Sequence, residues 1–209
     1  MILKATLQKM ANIFIVSAPS GCGKTSLVKA LLESMSDLCV SISHTTRTPR
    51  PGEIDGENYH FVSKEKFNDM CSEGAFVEHA EVFGNYYGSA KKTISKDLEQ
   101  NKDVILEIDW QGAQQVKKNV AALSIFILPP TKEALLSRLQ GRGQDSEEVI
   151  NKRMADAEDE MSHFYEFDFV VFNDDFDTAL EDLKHIIFSA RLTLKEQSNK
   201  YNNLLKQLI

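Results

Sequence analysis

The sequence predicts an α/β protein, a parallel sheet core covered by helices on both faces. Short apolar runs such as Ile13-Phe14-Ile15-Val16, Val104-Ile105-Leu106 and Leu123-Ser124-Ile125-Phe126-Ile127-Leu128 are continuous instead of alternating, as strands buried on both faces are. Segments with helical periodicity separate them, and strand-helix alternation implies parallel pairing. No internal repeat at a solenoid period interrupts the pattern.

The first apolar run ends in a Pro/Gly-containing loop, after which Leu27, Val28, Leu31, Leu32 and Met35 recur at helical spacing. Residues 38–90 break the alternation with short β-prone pieces rich in Tyr, Phe, Thr and Gly. They read as a subdomain inserted at about residues 41–90. Helices are expected over residues 113–118, 132–139 and 146–161, and Phe169-Val170-Val171-Phe172 is expected to be a further strand buried on both faces. The dense charge and sparse apolar content of residues 141–160 predict a mobile flap that adds nothing to the core.

From Leu180 the apolar positions Leu183, Ile187, Ala190, Leu194, Tyr201, Leu204 and Leu208 follow a heptad rhythm. An unbroken helix of that length would measure about 45 Å at about 1.5 Å per residue, so part of it must project or bend. Its first half is expected to pack on the sheet, with the chain loosening at Ser198-Asn199. The alternative use of the leucine seam in residues 190–209, a C-terminal helical extension, is contact with a second copy of the chain.

The chain has 209 residues, with 24 basic and 31 acidic side chains giving a net charge of -7. That balance argues against a surface devoted to nucleic acid or anionic lipid, so an anionic ligand must be held locally. No run is long and apolar enough for a membrane helix, and the N-terminus lacks the apolar core of a secretion signal. Cys22, Cys39 and Cys71 form no CxxC pair and suit a reducing cytoplasm better than a disulfide or zinc scaffold. The histidines show no metal-binding spacing, and His44 reads as structural.

Phosphate is held by converging backbone N–H groups, which requires a glycine-rich turn and a helix N-terminus behind it. Ala18-Pro19-Ser20-Gly21-Cys22-Gly23-Lys24-Thr25 supplies both. Gly23, Lys24 and Thr25 match the pattern GxxxxGK[ST], whereas Ala18 replaces its first glycine. Lys24 is placed to reach the β- and γ-phosphates of a nucleoside triphosphate, and Thr25 to ligand Mg²⁺. Cys22, beside Lys24 and the helix N-terminus, has sequence neighbours that favour a thiolate open to alkylation, but the plainer reading is a residue that only fills the loop.

A triphosphate loop does not name an acceptor. Ser43-His44-Thr45-Thr46-Arg47-Thr48-Pro49-Arg50-Pro51-Gly52-Glu53 carries two guanidiniums three residues apart, a pair suited to a phosphate monoester. With this segment, Tyr59, Gly84-Asn85-Tyr86-Tyr87-Gly88-Ser89 and Glu107-Ile108-Asp109-Trp110-Gln111-Gly112, the sequence resembles the guanylate kinases over roughly residues 11–189.

The resemblance implies a P-loop NTPase-like core with a β-rich GMP-binding insert, a mobile helical lid at about residues 138–160, and transfer of phosphate from ATP to GMP. It implies that Arg47, Arg50, Tyr59 and Tyr87 hold the GMP phosphate, while Ser43, Glu78, Ser89 and Asp109 surround the base. One carboxylate such as Glu78 matches the adjacent N1-H and 2-amino donors of guanine. Glu107 stands where some members have Asp, and its contact to base or metal is left open. Arg142 and Arg153, with Arg138, would lie over the ATP phosphates, Asn173 would contact the adenine side, and Thr25 with Asp109 would serve Mg²⁺. Lys24, Arg47, Asp109, Arg142 and Arg153 are the implied catalytic set. Two rivals remain at this point: a non-catalytic guanylate-kinase-like module that binds protein, and a kinase for another nucleoside monophosphate.

Overall fold

The computed structural model describes residues 11–82, 84–141 and 146–208. Five strands form a fully parallel sheet: β1 (Ile13–Ser17), β2 (Leu38–Val40), β7 (Asp103–Glu107), β8 (Leu123–Leu128) and β9 (Phe169–Phe172), in the order β2-β7-β1-β8-β9. Along β1, Phe14 and Val16 face one side and Ile13 and Ile15 the other, as the two-residue pleat requires. The first face packs on α1 (Lys24–Ser34) and α7 (Phe176–Arg191) through Leu27, Leu31, Leu183 and Ile187. The second packs on α3 (Lys91–Glu99) and α4 (Trp110–Asn119) through Ile94, Ala113 and Val116. Both faces are therefore covered, as the continuous apolar runs predict.

Three expectations change. Leu38–Val40 belongs to the core sheet, pairing with β7, so the departure from strand-helix alternation begins only after Val40. Strand β9 is an edge strand with Phe172 58% exposed, because its outer side has no neighbour. The charged segment does contribute core: α5 (Lys132–Gln140) and α6 (Glu147–Ser162) enclose Leu135, Leu139 and Ala157, with Ile150, Met154 and Met161 against them. Those residues fall on one helical face, so high overall charge conceals an apolar stripe.

The insert is a second sheet of β3 (His44–Thr45), β4 (His60–Phe61), β5 (Phe76–Val82) and β6 (Asn85–Ala90), ordered β4-β3-β6-β5. It also contains a helix that the β-prone reading missed, α2 (Lys64–Ser72), whose N-cap Ser63 accepts from the Lys66 amide. Phe67 of α2 stacks on Phe76 and Tyr86, with centroids 4.7 and 5.5 Å away. His44 packs against His60 and Phe76, which agrees with a structural side chain. The insert is tied to the core where Gln115 of α4 exchanges two hydrogen bonds with the backbone of His79.

The C-terminal seam breaks earlier than expected. α7 ends at Arg191, which binds Asp103 and Asp37 at 2.7 and 2.9 Å. Thr193 then caps α8 (Leu194–Lys200), and α9 (Asn202–Leu208) comes after it. These two helices leave Leu194, Leu204 and Leu208 exposed. Among the described residues no helix is long and apolar enough to cross a membrane.

Candidate active site

A cavity of about 490 Å³ opens at the C-terminal ends of β1 and β7, where ligands bind in open α/β sheets. All eight residues 18–25 line it. Gly23, the N-cap of α1, has φ +91°, and a Cβ there would stand 2.6 Å from Asn173 Nδ2, so glycine is required twice over. Ala18 carries no such demand. Its backbone is not left-handed and its methyl packs on the main core, which explains why the missing first glycine does not disturb the loop.

The loop is braced from behind. Asn173, 5% exposed, donates through Nδ2 to the Cys22 carbonyl at 2.7 Å. Arg138 donates to the Asn173 carbonyl at 2.8 Å and to the Cys22 carbonyl at 3.5 Å. Neither residue lines the cavity, and both make hydrogen bonds that support the loop. Cys22 takes the plainer of its two readings. Its thiol is fully buried, donates to the Ile127 carbonyl, and is pushed up to about 12 by desolvation, against a weaker lowering by Arg138. The side chain points away from phosphate into the core, and burial outweighs the nearby positive ends.

At the front, Lys24 Nζ reaches the Ile108 carbonyl at 3.4 Å and Thr25 Oγ1 donates to Glu107 Oε1 at 2.6 Å. Asp109 lines the same cavity while its Oδ1 caps α4 through the Gly112 amide at 2.8 Å. The opposite wall comes from the insert, with Ser43, Arg50, Tyr59, Glu78 and Tyr87. Glu78 is 4% exposed, and burial lifts its carboxyl to about 7, helped by Asp109 and opposed by hydrogen bonding to Ser89. It fits because the first turn of α4 carries a glycine: a Cβ on Gly112 would stand 2.9 Å from Glu78 Oε2. Ser43 and Ser89 hydroxyls lie 3.4 Å apart beside it, Ser89 lying just behind the wall.

Arg47 is set back from the cavity surface, over the Tyr59 ring at 5.4 Å, and donates to Glu53 at 2.8 Å. The other Glu53 oxygen accepts the Arg50 amide at 2.7 Å. One carboxylate thus orders both arginine positions, a role legible in the acid that closes the arginine segment but not assigned from it. Arg153 lines the cavity from the lid, and Arg142 lies outside the described residues. Sequence reasoning also passed over Asp156 and Glu160, which line the cavity from the same face of α6.

The model of the family described as guanylate kinase matches residues 10–190. The chain belongs to that family. It is 58% identical over 200 residues to a guanylate kinase of Shewanella denitrificans, covering 95% of this chain and 97% of the relative. A guanylate kinase of Escherichia coli K12 is 56% identical over 201 residues, with the same coverage. Its fold is similar to the crystal structure of guanylate kinase from Anaplasma phagocytophilum, with a TM-score of 0.74, 33% identity and 89% of each chain covered. The P-loop NTPase-like architecture follows from these and from the sheet order.

Proposed function

We propose that this chain transfers the γ-phosphoryl group of ATP to GMP, giving ADP and GDP. The observation that carries the reading is a buried carboxylate, Glu78, across one cavity from a phosphate loop. The loop amides and Lys24 hold the donor phosphates. Arg50, with Arg47 ordered beside it and Tyr59 and Tyr87 as hydroxyl partners, holds the acceptor phosphate. Ionised Glu78 accepts both guanine donors, and adenine would leave it buried and unpaired.

Phosphoryl transfer asks little covalent chemistry of a protein, so these residues act by in-line positioning and by neutralising charge. Lys24 follows the phosphoryl group between the two nucleotides, and Arg153 adds positive charge from the lid. Thr25, Glu107 and Asp109 are hard oxygen donors, and among the described residues no three acidic, histidine or cysteine side chains form a cage. That set fits Mg²⁺, which keeps waters and binds one or two protein oxygens plus phosphate. When bound, Mg²⁺ would neutralise negative charge on the donor phosphates.

The protein-binding rival loses ground because Gly23, Lys24 and Thr25 of the loop are present and line the cavity and the relatives are named as kinases. The three free cysteines suit a cytoplasmic enzyme. Self-association through the exposed leucines of α8 and α9 is the partner reading, and a monomeric mass by light scattering at high concentration would end it. The activity is tested by ADP production from ATP with GMP, AMP, dTMP or no acceptor. GMP should be preferred by roughly 10⁴ or more, the scale of a site built to hydrogen-bond its substrate. Equal turnover with AMP or dTMP would overturn the assignment to guanine.

A further inference from the structure

The amide of Ser20, in the middle of the phosphate loop, donates to Glu160 Oε2 at 3.1 Å, across 140 positions of sequence. This carboxylate comes from the lid helix α6, and it occupies a donor of the kind a phosphate oxygen would take. Lys24 faces it from the loop, with Asp109 and Asp156 as nearby negative groups. Arg153, Asp156 and Glu160 sit at i, i+3 and i+7, so one face of α6 presents a cation and two anions to the cavity.

Two packing features fix this face. Leu135 and Leu139 of α5 support Gly21, where a Cβ would stand 2.8 Å from Leu139 Cδ2, and the same leucines pack on Ala157 of α6. Just beyond Glu160, His163 stacks on Trp110 with centroids 3.5 Å apart and 9° between planes, and His163 Nδ1 lies 2.6 Å from Glu166. The C-terminal end of α6 is thereby anchored beside α4, whose N-cap is Asp109. Glu160 lies less than one turn from this anchor, so a small rotation of α6 moves it off the loop while carrying the more distant Arg153 further.

We infer that Glu160 is a positioning residue for the transfer reaction, an internal stand-in for phosphate that docks the lid on the Ser20 amide and is displaced when a nucleotide's phosphates enter. A carboxylate and a phosphate cannot share the donor without repulsion, so entry of the nucleotide expels Glu160 and attracts Arg153. The same helix face thus exchanges an anion for a cation over the loop. The inference rests on the loop being the donor-phosphate site.

The test is calorimetric binding of ADP and, separately, of GMP, without metal, to the full chain and to Glu160→Gln. The amide keeps the side chain's size and a neutral acceptor but removes the competing charge. ADP should bind about three- to tenfold tighter, the scale of one partly exposed charge-assisted hydrogen bond, while GMP affinity stays within about twofold. Glu158→Gln removes the same charge from an exposed position on α6 paired with Lys132, and should leave ADP binding unchanged. Glu160→Ala reports the same displaced charge should the amide disturb the helix. Unchanged or weaker ADP binding in the Glu160 variants, or equal tightening in Glu158→Gln, overturns the inference. Failure of the unmodified chain to bind ADP at all brings down the reading of the loop itself, and this inference with it.

Discussion

On the proposed reading, the two halves of the cavity would hold phosphate by different means. The donor half is mostly backbone: the loop's amides, its two left-handed glycines, and buried side chains such as Asn173 that brace the loop. The acceptor half is mostly side chain: Arg50, Tyr59, Tyr87 and Glu78, with Glu53 and Gly112 setting their positions. Backbone recognition suits the group common to all nucleotides, whereas side chains are needed to tell one base from another. The acceptor half also carries the cost of that choice, since a buried carboxylate stripped of water is destabilising until guanine arrives.

The sharpest break between the halves should come from Lys24→Ala. Turnover is expected to fall by about 10³-fold or more, as when one preorganised transition-state donor is removed, while GMP affinity by calorimetry stays near that of the parent. A comparable loss of GMP binding would mean that the halves are not separable.

Next in size is Glu78→Gln, with an expected loss of about 10²-fold in kcat/KM for GMP, because one guanine donor then faces an amide N–H. The pH dependence has a definite sign. Glu78 must be ionised to receive guanine, so GMP affinity should weaken as pH falls below about 7, by about tenfold per pH unit, and the variant should lack this slope. Stability runs the other way. A carboxyl raised in the folded state holds its proton from the ordinary range up to about 7, so its contribution is favourable at low pH and is lost as pH rises through that value. Glu78→Gln should therefore raise the melting temperature at pH 8 and not at pH 4, and no gain at pH 8 would contradict the burial argument.

Glu53→Gln should raise KM for GMP by about tenfold with kcat little changed, since it loosens two arginine positions without removing either. The smallest effect is expected on the donor side, from Asn173→Ala. Loss of the hydrogen bond to the buried Cys22 carbonyl should cost about 1–3 kcal/mol in chemical denaturation, with only a few-fold rise in KM for ATP because Arg138 still reaches that carbonyl. A large drop in kcat would make Asn173 a ligand contact instead of a brace.

The same contrast decides what was legible in the sequence. The donor loop could be read directly, because its requirement for glycine and a following helix is written in consecutive residues. So could β1, β7 and β8, whose burial on both faces leaves continuous apolar runs. Strand β2 was hidden by its length, and α2 by the aromatics that surround Phe67. The break after α7 was signalled by Thr193-Leu194-Lys195-Glu196, a capping-box spacing that the heptad rhythm obscured. Cys22 left two readings open because its neighbours in sequence suggest a thiolate, whereas its neighbours in space exclude water. Glu160 had no local signal, since its partner lies 140 positions away.

Trp110 is the only tryptophan in the chain, and it lies flat against His163 at the foot of the lid helix. Indole emission responds to such stacking. The molecule therefore carries a built-in optical gauge at the joint between its two substrate halves, readable by stopped flow without attaching a dye.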